Sequence, residues 1–147
     1  MKVVVQRSLA SSVSINNKIV GKIDKGLVLL VGFTEGDNEE IIDKMVKKVI
    51  NLRIFDDENG VMNKSLLDVN GSILSISQFT LYANTKKGNR PSYIEALNGS
   101  LASPLYDLFN KKLKEQGVIV ETGVFGADMK VSITNDGPVT IILESGV

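Results

Sequence analysis

The stretch GLVLLVGFT, residues 26–34, decides the reading of this chain, because it is apolar without interruption from Leu27 to Val31. A half-buried strand alternates apolar and polar residues; a continuous apolar run reads as a strand buried on both faces. Upstream, KVVVQR (2–7) is a second, β-branched strand. Between them SVSI and KIVGKID flank Asn16-Asn17, a pair that tolerates the positive φ of a tight hairpin.

Downstream the period changes from strand to helix. Asp37 is placed as N-cap, with Glu40 three residues on. Ile41, Ile42, Met45, Val46, Val49 and Ile50 then form one helical stripe. Glu40/Lys44 and Asp43/Lys47 are i,i+4 pairs on the other face. Lys44, Lys47 and Lys48 read either as a solvated face or as an RNA-facing patch. LRIF (52–55) is β-like, and DDENG (56–60) is a turn whose acidic triplet lacks the ligand spacing of a calcium loop. GSILSISQFTLYA (71–83) reads as a strand with a polar insertion near its end, followed by the basic loop NTKKGNRPSY (84–93). A second helix is expected from Ser103, with Pro104 in its first turn, to Gly117. VIVETGVF, MKVSIT and GPVTIILES complete the chain as β segments. Strands outnumber helices and the order is mixed, so the expected class is α+β. The expected architecture is a single domain, 1–147, with a mixed, mostly antiparallel, barrel-like sheet core and two main helices.

Composition excludes whole classes of chemistry. The sequence has no histidine and no cysteine. A Ser-His-Asp triad and thiolate nucleophiles are therefore absent, and zinc held by imidazole or thiolate with them. Hydrolysis must use carboxylates, lysines, hydroxyls, backbone groups or the substrate's own atoms. No metal site and no cofactor are expected. Lys+Arg and Asp+Glu number 17 each, a balance unsuited to gripping a long duplex by its phosphates, so no DNA partner is expected. No window reaches the ~20 apolar residues of a membrane span. MKVVVQRS has the outline of a signal peptide's start, but Arg7 interrupts the apolar run after Val5. A soluble, cytoplasmic protein is the expectation.

Two polar constellations remain. In SQFTLYA (77–83), Ser77, Gln78, Phe79 and Thr80 stand where an apolar strand ends. In a period-2 strand Ser77 and Phe79 share one face, Gln78 and Thr80 the other. Such an end either presents hydroxyls and N–H groups to a ligand, as an oxyanion pocket requires, or merely satisfies local backbone. In NDGPVT (135–140), Gly137-Pro138 opens the last apolar run. It is either a plain trans turn at a strand start or a cis kink that turns two carbonyls away from the ladder. Lys86, Lys87 and Arg90 beside Tyr93 suit a phosphate-bearing single strand, and equally a solvated loop.

Both motifs, in this order and about 60 residues apart in a chain of 147, resemble the D-aminoacyl-tRNA deacylase family, as do MKVVVQR, GLVLLVGF and GNRPS. The resemblance implies a homodimeric enzyme that hydrolyses the ester between a D-amino acid and the 3′-terminal adenosine of tRNA. It implies that glycyl-tRNA is accepted and that L-aminoacyl-tRNA is rejected. Gly137 and Pro138 of one subunit would reach into the pocket of the other as a main-chain chirality filter, a wall that excludes by sterics. Ser77, Gln78, Phe79 and Thr80 would line the pocket near the ester. Thr80 is the obvious nucleophile but has no imidazole to activate it; attack by water assisted by the adenosine 2′-hydroxyl fits better. Arg7 would hold the Gly-Pro region, the alternative being an exposed strand-end arginine. Lys86, Lys87 and Arg90 would meet acceptor-end phosphates.

Two other functions compete. A non-catalytic module binding RNA 3′ ends, with Tyr82 or Tyr93 stacking on bases, predicts binding without turnover. A structural oligomer predicts that Pro138→Ala changes dimer stability alone.

Overall fold

The computed structural model describes residues 1–146, and its centre is the strand that the apolar run announces. That strand, β4 (Gly26–Gly32), lies third in a five-stranded sheet with β10 (Asn135–Glu144), β1 (Lys2–Ser8), β7 (Ser72–Ser77) and β8 (Val120–Thr122), in the order β10-β1-β4-β7-β8. β1 is antiparallel to both β10 and β4, whereas β4, β7 and β8 run parallel. One face of this sheet carries α1 (Glu39–Asn51) and α2 (Gly99–Glu115). There Leu27, Leu29 and Val31 pack with Ile42, Met45, Val49, Phe109 and Leu113. The other face carries a small sheet of β3 (Lys18–Ile23), β2 (Ser11–Ile15) and β9 (Lys130–Ser132). Val28, Leu74 and Ile76 pack there against Val13 and Ile23. Every side chain of β4 thus meets apolar partners, which is why its sequence does not alternate.

Among the described residues the result is a single α+β domain of three layers with two α-helices. Its pairings are mostly antiparallel, but the sheets do not close: the five-stranded sheet ends at β10 and β8, so the barrel-like expectation is corrected to two facing sheets. A separate two-stranded ribbon, β5 (Phe55–Asp56) and β6 (Met62–Lys64), forms the expected turn around 56–60. Asn16 and Asn17 have φ of 50° and 66°, as the β2–β3 hairpin requires.

Helix starts differ from the sequence reading. The cap of α1 is Asn38, whose side chain accepts from the Ile41 N–H at 3.0 Å. Asp37 instead accepts from the Thr34 N–H and from the Met1 ammonium, each bond under 3 Å. Asp43 pairs with Lys112 of α2 rather than with Lys47, tying the two helices together; the Glu40–Lys44 pair is present. Helix α2 begins four residues before Ser103, capped by Asn98, and Pro104 falls in its second turn. No helix among the described residues is long and apolar enough to cross a membrane.

Candidate active site

The carboxyl ends of parallel strands point the same way, and ligand clefts commonly form beyond them. Here β4 and β7 end side by side, and a cavity of about 520 Å³ opens beyond them. Its walls come from Gly32 and Phe33 at the end of β4, Ser77, Gln78 and Phe79 at the end of β7, and Gly99 and Ala102 at the start of α2. The loop after β8 closes it with Phe125, Gly126, Ala127 and Met129.

The strand does not continue through SQFTLYA. Strand β7 stops at Ser77, and Phe79–Tyr82 form a short 3₁₀ turn. The alternating faces expected for Ser77 to Thr80 therefore do not occur. The Gln78 N–H donates to Val31 O at 2.7 Å, the last bond tying the β7 end to β4. The next two N–H groups, of Phe79 and Thr80, open the turn and have no backbone acceptor among the described residues. First-turn donors of a helix are left unsatisfied in this way, and a pair of them is the donor set of an oxyanion hole. Ser77, Gln78 and Phe79 line the cavity; Thr80 does not, and joins the site through its hydroxyl, which accepts from the Gln78 side-chain amide. The Phe79 ring is exposed and meets the Tyr93 ring edge-on at 5.2 Å, so the two aromatics form the rim.

The basic loop is closed at its base by Asn84 and Ser92, which exchange two backbone bonds of 2.8 and 2.9 Å. Its tip carries Lys86, Lys87 and Arg90 into solvent. None of the three lines the cavity, but Tyr93, the last residue of the loop, does.

Gly137 and Pro138 lie elsewhere. Strand β10 begins at Asn135, earlier than the apolar run suggested, so the Gly-Pro pair sits inside the strand at a register shift. Gln6 faces Thr140 while Ser8 faces Asn135, so residues 136–139 bulge opposite Arg7. An edge strand and a bulge are the places where a sheet admits proline. The Gly137-Pro138 peptide bond is cis, and both residues are exposed. Arg7 is not an exposed arginine: it is 8% exposed. Its Nε donates to Asp136 O at 3.2 Å and its Nη1 to Ile54 O at 2.8 Å, with the Asp136 and Asp56 carboxylates at 3.3 and 3.4 Å. Gly137 has φ +123°, and a Cβ there would come within 3.0 Å of Arg7 Nη2. Neither Arg7, Gly137 nor Pro138 lines the cavity of its own chain.

Behind the site a polar group is buried in the helix-facing layer. Tyr106 OH donates to Ser75 O at 2.7 Å, and burial raises its phenol above the ordinary value. Sequence reading missed the small residues Gly99, Ala102, Gly126 and Ala127 that leave the cavity open. It also read 118–125 as one strand, although Phe125 lies in the loop that closes the cavity. The only local signal was the pair of glycines, Gly123 and Gly126, that brackets that loop.

Fold and cleft together define a class: an α+β domain whose site offers hydroxyl, amide and backbone N–H groups beside an aromatic rim, the equipment for acyl chemistry without an imidazole. Comparison with known proteins gives the family. A family model described as D-Tyr-tRNA(Tyr) deacylase matches residues 4–144. The D-aminoacyl-tRNA deacylase of Limosilactobacillus reuteri is 58% identical over 144 residues, 98% of this chain and 99% of that protein. That of Flavobacterium psychrophilum is 59% identical over 146 residues, 99% and 97% of the two chains. Among solved structures, the c-Myc DNA unwinding element binding protein superposes with a TM-score of 0.95 at 39% identity over 100% of both chains. A structure described as "Structural Analysis of a probable eukaryotic D-amino acid tRNA deacylase" has the same fold, with a TM-score of 0.83 at 18% identity over 97% of each chain. The chain belongs to the D-aminoacyl-tRNA deacylase family of hydrolases.

Proposed function

We propose that the protein works as a homodimer in the cytoplasm and discriminates D- from L-aminoacyl-tRNA with backbone contributed across the subunit interface. The observation that carries this reading is a separation. The cavity lies at the ends of β4 and β7, whereas Gly137 and Pro138 lie exposed on the edge strand and do not line it. A second copy supplies the missing wall. Arg7, bonded to Asp136 O and to Ile54 O, holds that wall from behind. An L side chain would strike main-chain atoms; a D side chain points outward, and glycine passes because it has none.

The adenosine and ester sit against Ser77, Gln78 and Phe79. Water adds to the ester carbonyl with the adenosine 2′-hydroxyl assisting, the carbonyl electrons move onto oxygen, and the Phe79 and Thr80 N–H groups take up that charge. Collapse of the tetrahedral species breaks the bond to the 3′-oxygen, which leaves with a proton. Thr80 positions rather than attacks: its hydroxyl is held by the Gln78 amide, and Asp128 is the only carboxylate among the cavity-lining residues. Lys86, Lys87 and Arg90 approach the acceptor-end phosphates.

The test is release of amino acid from matched D- and L-tyrosyl-tRNA, with glycyl-tRNA alongside. Rapid loss of the D and glycyl esters with the L ester spared is the expected result. Equal turnover of D and L esters would remove the filter.

A further inference from the structure

We infer that Lys2 is a positioning residue for ester hydrolysis, acting with Gly32 to fix the 3₁₀ turn that carries the Phe79 and Thr80 N–H groups. The inference rests on the hydrolytic reading above and adds residues to its site. Lys2 and Gly32 are directly opposed in the β1–β4 ladder, so their Cβ positions share a face. That face is turned away from the helices, because the neighbouring Val3 and Val31 both belong to the helix-side core.

Gly32 leaves the face bare. A Cβ there would lie 2.9 Å from Gln78 O, 3.2 Å from Leu81 Cβ and 3.4 Å from Tyr82 Cδ2, so the turn rests on backbone that no side chain covers. Lys2 reaches along this gap. Its Nζ donates to Leu81 O at 3.2 Å and stands 4.9 Å from the centroid of the Tyr82 ring. The last carbonyls of a short helix lack intrahelical donors, and a lysine ammonium satisfies one while also facing the ring's electron-rich side.

The turn is therefore held at three points. Val31 O binds its entry through the Gln78 N–H, Gly32 admits its middle, and Lys2 binds its exit. Between these anchors lie the two free N–H groups, whose aim depends on all three. Lys2 touches neither the cavity nor any proposed substrate atom, so its effect passes through the turn.

The experiment compares wild type with Lys2→Met, which keeps the apolar stem, and Lys2→Arg, which keeps the charge and the donor. Two readouts are taken: kcat and KM on D-tyrosyl-tRNA, and amide hydrogen exchange at Ala83, whose N–H donates to Thr80 O at 3.0 Å. Lys2→Met is expected to lower kcat by about tenfold or more, since small misplacements of reacting groups have effects of that size. KM and melting temperature should stay close to wild type, Ala83 should exchange faster, and Lys2→Arg should restore both kcat and protection. Unchanged kcat and exchange in Lys2→Met would overturn the inference, as would a loss that tracks a lowered melting temperature without rescue by arginine. If wild type fails to hydrolyse the ester, the hydrolytic reading falls, and the exchange measurement still decides whether Lys2 holds the turn. Should Lys2→Met fail to fold, Lys2→Gln carries the same comparison.

Discussion

Thr80→Ala removes one hydroxyl from the 3₁₀ turn and leaves its backbone N–H in place, so the size of its effect depends on what the hydroxyl does. In the structure Thr80 Oγ1 accepts from the Gln78 amide, and the residue stands outside the cavity lining. A positioning role places at stake one neutral hydrogen bond, with a net value of about 0.5–1.5 kcal/mol. At 1.36 kcal/mol for each tenfold change in rate, that is about a twofold to thirteenfold loss in kcat/KM. Removal of a covalent nucleophile has consequences of another order, on the scale of roughly a millionfold in well-studied hydrolases. The two outcomes are separated by far more than experimental error. The assay is single-turnover hydrolysis of radiolabelled D-tyrosyl-tRNA with enzyme in excess, quenched in acid and resolved for free amino acid and for label bound to protein. Thr80→Ser, which restores a hydroxyl, should lie between Ala and wild type. A loss beyond about a hundredfold exceeds what one hydrogen bond explains. Together with protein-bound label in the wild type, it would refute the assignment and make Thr80 the nucleophile.

Gly137→Ala forces a side chain onto a φ of +123° and within 3.0 Å of both Val139 Cγ2 and Arg7 Nη2. It should reduce stability by about 1–3 kcal/mol in a urea melt and raise the L/D ratio of hydrolysis rates; retained discrimination would place the filter elsewhere. Tyr106→Phe leaves the buried Ser75 carbonyl without the phenol's 2.7 Å bond. The midpoint of urea unfolding should fall by an amount equivalent to about 1–3 kcal/mol, with kcat unchanged, as joint denaturation and rate measurements would show. The Val61 and Asn59 N–H groups hold the Asp57 carboxyl below its ordinary value. With the folded-state value lowered, the stabilisation is fully present above the unfolded-state value and is lost as pH falls from there through the folded-state value. Asp57→Asn should therefore flatten the acid limb of stability below about pH 4, read from urea melts across that range.

The sequence made the centre of the fold legible because burial on both faces leaves a local trace. Leu27 to Val31 carry no polar residue, and the stripe from Ile42 to Ile50 has a helix's period. Asn16-Asn17 announced its turn through backbone preference alone. What stayed hidden was set by distant partners. Nothing within GSILSIS says that β7 will lie parallel to β4, and that pairing is what creates the cavity. The break after Ser77 was likewise concealed: Phe79, Leu81 and Tyr82 suit a strand, and the turn forms because Gly32, far away in sequence, leaves room for it. The start of α2 was misplaced because Pro104 is a strong local signal for a first turn, whereas Asn98 caps through a bond to Ser100 N–H visible only in three dimensions. Among the candidate residues, the two motifs identified the family. Their geometry, one at the cavity and one on an edge strand, required the structure.

That geometry has a genetic corollary. If each cavity is completed by the edge strand of another copy, the cavity and the 136–138 segment of one polypeptide serve different sites. Two alleles, one disabled at Gln78 and the other at Gly137, would then complement each other when co-expressed. Random pairing would give dimers in which one site carries both lesions and the other carries neither. About a quarter of all sites would be whole in the mixed population, although neither parent has any. Selection would accordingly act on the pair of chains, and a lesion at the edge strand would be felt in the partner's chemistry while its own cavity stayed intact.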